Sequence, residues 1–171
     1  MADTPPLRRT LIIAPHPDDE VICCAAVISR LAHQSPNPDL AKNLRIVILT
    51  KQSSSPENKA EDISNKRFAE SKKALEILAQ NADREAIIQA YDLPDGNLAA
   101  ALEENTPSRS VSRLAALILD FKPEDIYFPH YADSHRDHRA AYALLRRALK
   151  SPPVTPRLLS YVVHGTRSTI N

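Results

Sequence analysis

An α/β fold with a mostly parallel sheet of about five strands is the class this sequence predicts, and three observations point to it. Short apolar runs alternate with segments of helical spacing, the pattern of βαβ units with helices on both faces of a sheet. The 171 residues are enough for one domain with a buried core and too few for a second sizeable one, so residues 1–171 are read as a single domain. Two clusters of histidines and acids follow directly on two of the apolar runs. Open parallel sheets bind ligands there, beyond the carboxyl ends of the strands and near the point where strand order reverses.

Taken in order, the predicted strands are Leu11 to Ala14, Leu44 to Leu49, Ala86 to Ala90, Ile126 to Phe128 and Leu158 to Val163. Between them the predicted helices are Glu20 to Ala32, Ala60 to Ala79, Val111 to Phe121 and Asp137 to Leu149. The connectors Ser35 to Asn43, Gln52 to Asn58 and Glu103 to Ser108 are polar and contain proline, which reads as surface loop and not as an interdomain linker. The last strand is followed only by Gly165 to Asn171. A lid over a site is therefore expected from internal loops or from another subunit, and a homo-oligomer is expected to be worth testing.

Charge and composition narrow the function classes. Lys and Arg number 22 against 21 Asp and Glu, a net charge of +1, and the basic residues are interspersed with acids. Such a balance gives no footprint for nucleic acid. Met1 to Arg9 is polar and proline-bearing, unlike a secretory signal, and no run approaches the ~20 apolar residues of a membrane span. The two cysteines, Cys23 and Cys24, are adjacent in a predicted helix, where a mutual disulfide would be badly strained. Reduced thiols in a cytoplasmic protein are the expectation. Glycine occurs only at positions 96 and 165, so a Gly-rich phosphate loop is absent.

The chemistry resides in Pro15-His16-Pro17-Asp18-Asp19-Glu20 and in His135-Arg136-Asp137-His138. His16 and Asp19 are three apart across a turn stiffened by Pro17, so both can reach one ion while Asp18 points elsewhere. His138, just after the fourth strand, is the candidate third ligand. Two imidazoles and one carboxylate suit Zn²⁺, or Fe²⁺ or Co²⁺, and three protein ligands leave the open position of a catalytic site. Attack by water on an amide also needs a base, for which Asp18 is the candidate. His135 is a candidate donor to an oxyanion, and Asp137 a candidate partner that fixes an imidazole tautomer. Glu20 complements the positive end of its helix. Acids at a helix start also serve as ordinary caps, and an isolated His-x-x-His is often only a solvated helix face. It is the pairing of both clusters at strand ends that favours a metal centre.

These residues, with Arg67 and Glu70 in the second helix and Leu93-Pro94-Asp95-Gly96, make the chain resemble the LmbE-like, or PIG-L, family of metal-dependent N-deacetylases. The resemblance implies a Rossmann-like three-layer sandwich and zinc-dependent hydrolysis of the N-acetyl group of amino sugars or glycoconjugates, releasing acetate and a free amine. It makes His16, Asp19 and His138 the metal ligands, Asp18 the general base and His135 the transition-state or leaving-group partner. It further implies that Arg67 and Asp95 face an N-acetylated sugar substrate such as an N-acetylglucosamine derivative. The chain departs from the family at Thr50 to Ser55, where relatives often carry a glycine-containing loop, and in a shorter C-terminus. Tyr91, Tyr131 and Tyr142 are the candidates for stacking on a sugar. A non-catalytic carbohydrate-binding protein of the same fold and a metal-dependent phosphoesterase are the competing readings.

Overall fold

The computed structural model describes residues 7–35, 39–52, 60–79, 83–103, 109–150 and 153–165. The predicted loop residues 53–58 and 104–108 lie outside this set. Five strands form one sheet: β1 (Thr10–Ala14), β2 (Leu44–Gln52), β3 (Ile88–Pro94), β4 (Asp125–Pro129) and β5 (Arg157–Tyr161). Their order is β3-β2-β1-β4-β5 and every neighbouring pair is parallel. The expected class holds, with the sheet entirely and not merely mostly parallel.

Alternation along the strands builds the three layers. Leu11 and Ile13 of β1 join Val47 and Leu49 of β2 on one face, in a core completed by Leu98, Leu114, Ile118 and Leu144. Those residues come from α5 (Leu98–Glu103), α6 (Arg109–Phe121) and α7 (Arg136–Ala148). Ile12, Ala14, Ile46 and Ile48 point to the other face, where they pack with Cys24, Ile28, Leu40, Leu75 and Ile87. That layer is α1 (Asp19–Gln34), α2 (Leu40–Asn43), α3 (Ala60–Leu78) and α4 (Arg84–Ile87). β1 is central and wholly buried, which explains why its sequence is a continuous apolar run.

Several boundaries differ from the sequence reading. Ala86 and Ile87, predicted as strand, form the end of α4, because the Asp83 carboxylate accepts the Ala86 N–H (3.3 Å) and closes a helical turn there. β3 starts at Ile88 and continues to Pro94, with register shifts against β2 between Ile48 and Gln52. Such irregularities re-aim a strand end; here they precede the Pro94-Asp95-Gly96 turn. β5 stops at Tyr161, two residues short of the expected end. The short helices α2, α4 and α5 were not expected, and α5 has a non-local cause. Its first N–H, on Leu98, is bonded by the carboxylate of Asp137 (3.1 Å), which is 39 residues away on α7.

Candidate active site

Strand order reverses between β1 and β4, the two strands whose ends carry the His-Asp clusters. The chain leaving β1 turns sharply through Pro17 and Asp18 into α1. Asp18 has φ 127°, a left-handed value rare for any residue but glycine, and a strain of the kind that clusters at functional sites. The buried carboxylate of Glu20 accepts the Asp18 N–H (3.1 Å) and helps to hold this turn. Its outcome is a division of labour between neighbours. Asp19 is buried, whereas Asp18 is half exposed beside Arg67 (3.3 Å).

Within the turn, the Asp19 Oδ2 accepts the His16 N–H (3.0 Å), stands 3.3 Å from His16 Nδ1 and 3.3 Å from His138 Nε2. His138 is fully buried, and its Nε2 makes no hydrogen bond among the described residues. A buried ring nitrogen without a partner is costly unless something outside the protein completes it. The 3.3 Å spacing is the edge of a tetrahedron whose corners stand about 2.0 Å from its centre, the distance at which nitrogen and oxygen ligate zinc. Both spacings from Asp19, to His16 and to His138, therefore suit a divalent cation, and His138 recurs among convergent donors, with His16 and His135 and with Asp19 and His164.

Two buried carboxylates orient the imidazoles. Asp137 lies 3.3 Å from His16 Nε2 while accepting the N–H groups of Gly96 (2.6 Å) and Leu98 (3.1 Å), so it ties the Asp95-Gly96 turn to the histidine. Gly96 has φ 74°, and a Cβ there would stand 3.2 Å from an Arg136 nitrogen, so the position requires glycine. Asp133 does the same for His138: its Oδ2 is 3.1 Å from His138 Nδ1 and accepts the Val163 N–H (3.1 Å), and its Oδ1 accepts the His135 N–H (2.9 Å). Sequence reasoning missed Asp133. Its only signal was an acid five residues before His138 in a loop, too weak to single out. Asp133→Asn is expected to weaken metal affinity about 10- to 100-fold, the cost of losing such an outer partner, as read by competition with a chromogenic chelator.

His135 is the N-cap of α7, accepting the Asp137 N–H through Nδ1 (3.3 Å), just outside the helix. Its ring stands edge-on to His16, with centroids 4.8 Å apart and planes at 89°. Arg67 and Asp95 also reach the site. Arg67 lies 3.6 Å from Asp95, and Asp95 lies 3.2 Å from His16 Nε2. A cavity of about 250 Å³ gathers His16, Asp18, Asp19, Arg67, Asp95 and His135, with Ile22, Val163 and His164. An adjoining cleft between α1 and α3 shares Asp18, Ile22 and Arg67 and adds Pro17, Val21 and Glu70. The expected aromatic platform is not formed by Tyr91, which is buried in the core beneath Arg113, because β3 turns it inward. Tyr142 packs on Phe128 and Tyr131 on His130, outside the cavity lining.

The charges of these groups follow from their neighbours. Burial lowers the His16 pKa, but Asp137, Asp19 and Asp95 outweigh it and raise it from 6.5 to about 9. Burial also opposes ionisation of Asp19, yet the close approach of His138 and His16 holds its carboxyl well below the usual range. Asp18 is pushed up, first by burial and then by Asp19, against the pull of Arg67. His135 is pushed down by burial and by the charges of His16 and His138, so it stays neutral.

A family model, PIG-L: GlcNAc-PI de-N-acetylase, matches residues 11–149 of the 171. The chain belongs to the PIG-L family. Its fold agrees with solved structures, although no curated protein matches it. The N,N'-diacetylchitobiose deacetylase from Pyrococcus horikoshii superimposes with TM-score 0.62 at 19% identity, over 84% of this chain and 49% of that one. The A40926 pseudoaglycone deacetylase gives 0.64 at 19%, over 92% of this chain and 64% of that one. The 4-carboxy-2-hydroxymuconate hydratase from Pseudomonas putida gives 0.57 at 18%, over 90% and 64%. This PIG-L chain thus spans about half to two thirds of the length of these relatives. Since a hydratase shares the fold with deacetylases, the reaction must be argued from the site. Among the described residues of this PIG-L chain, no helix is long and apolar enough to cross a membrane.

Proposed function

We propose that this chain is a metal-dependent N-deacetylase that hydrolyses the acetamide of an amino sugar or glycoconjugate, with Zn²⁺ as the first candidate metal and Fe²⁺ or Co²⁺ as alternatives. The observation that carries the reading is the buried, unpartnered Nε2 of His138, aimed at the carboxylate of Asp19 that His16 also faces. His16, Asp19 and His138 would hold the ion. A divalent cation held there supplies Lewis acidity toward the amide carbonyl and a lowered pKa for water.

The chain's own groups do the rest. Asp18, adjacent to the triad but turned to the cavity, takes a proton from the attacking water; its raised pKa brings it closer to the working range of a general base. His135, kept neutral, donates a ring N–H to the oxygen of the tetrahedral intermediate. The same neutrality removes it as an acid, so protonated Asp18 returns its proton to the leaving nitrogen. Arg67 and Asp95, at the cavity wall, present a cation and a carboxylate to sugar hydroxyls.

Metal binding should be strongly pH-dependent. In the metal-free protein His16 stays protonated up to about pH 9, and only the neutral ring can ligate. Through His16 alone, apparent metal affinity should rise about tenfold per pH unit toward that value, with about one proton released per ion at neutral pH. Calorimetry in buffers of differing ionisation enthalpy measures this. The sign reverses for folding without metal: because the folded pKa lies above 6.5, the stabilisation from His16 is full below that pH and disappears as pH rises through about 9. The direct test of function is release of acetate from N-acetylglucosamine derivatives, with phosphate release from phosphate esters assayed alongside. Acetate alone is expected; phosphate alone would assign a phosphoesterase instead.

A further inference from the structure

We propose that His164 is a fourth metal-binding side chain, closing the open face of the His16, Asp19 and His138 centre when no substrate fills it. The proposal rests on the metal-centre reading above but concerns a residue outside both sequence clusters. Donor atoms of Asp19, His138 and His164 all lie within 4.8 Å of one another, and the His164 ring centroid is 5.0 Å from that of His138. The unpartnered Nε2 of His138 stands 3.3 Å from the Asp19 carboxylate of this group.

The backbone that delivers His164 is fixed to the loop that delivers His138. Ser134 donates its hydroxyl to the His164 carbonyl (2.9 Å) and its N–H to the Gly165 carbonyl (2.9 Å). Asp133, which holds His138 Nδ1, also accepts the Val163 N–H (3.1 Å). One carboxylate thus supports the positions of both imidazoles. His135 also converges with His16 and His138, but its Nδ1 accepts the Asp137 N–H (3.3 Å), which puts the proton of the neutral ring on Nε2 and makes that nitrogen a donor. The ring nitrogens of His164, by contrast, make no hydrogen bond among the described residues, and the side chain is exposed to the cavity. A neutral imidazole in that position suits a borderline divalent cation, and substrate must displace it to reach the same face.

X-ray absorption on the zinc-loaded full chain tests this by counting coordinated imidazoles. Three are expected in the wild type, two in His164→Ala, and three again when free imidazole is added to that variant. His135→Ala should keep three. The exposure of His164 favours a folded variant, and circular dichroism checks it. One zinc with two imidazoles in the wild type, or three retained in His164→Ala, overturns this proposal alone. A wild type that takes up no zinc overturns it together with the proposed function.

Discussion

His138→Ala is expected to bind metal at least about 100-fold more weakly than wild type, beyond the usual cost of losing an outer partner, and to lose hydrolysis with it. His138 is fully buried, its Nδ1 is held by Asp133 and its Nε2 faces Asp19. Removing the ring leaves His16 and Asp19 from one turn of chain, with only the exposed His164 besides, and breaks the convergence between the β1 and β4 ends. Elemental analysis and activity should fall together. Full metal stoichiometry in the variant would mean that the ion is held elsewhere.

Asp18→Ala is expected to separate the two properties that His138→Ala loses jointly. The Asp18 carboxylate belongs to none of the convergent donor groups among the described residues, so the variant should retain its ion. Turnover should fall by about 10²- to 10⁴-fold, the contribution of a positioned general base. The pH profile provides an independent sign. Burial and the charge of Asp19 raise the Asp18 pKa above its ordinary 3.8, so wild-type kcat/KM should rise with pH through a limb above that value. That limb should vanish in the variant. Wild-type turnover in Asp18→Ala would remove the residue as the base.

Much of this was legible in the sequence because it is local. The continuous apolar run of β1, the Pro17 turn and the spacing of His16 and Asp19 are all contained within ten residues, and the switch-point rule placed the second cluster beside the first. What stayed hidden is non-local. The cap on α5 comes from Asp137, and that carboxylate also holds His16 and Gly96, a set of contacts spanning three separate segments. Asp133 acquires meaning only when the chain leaving β5 passes beside it and donates the Val163 N–H. Tyr91 illustrates the converse error: an aromatic near a strand end reads as a binding platform, but the pleat of β3 turns it into the core. A strand's apolar residues fix its existence more firmly than its ends, which is why Ala86 and Ile87 were misassigned.

The most direct test of the account is metal content by elemental analysis coupled to acetate release from N-acetylglucosamine derivatives, with wild type and Asp18→Ala measured side by side. One bound divalent ion in both proteins, and acetate from the wild type only, are expected. Absence of metal under every loading condition, or equal acetate release by the two proteins, would contradict the account.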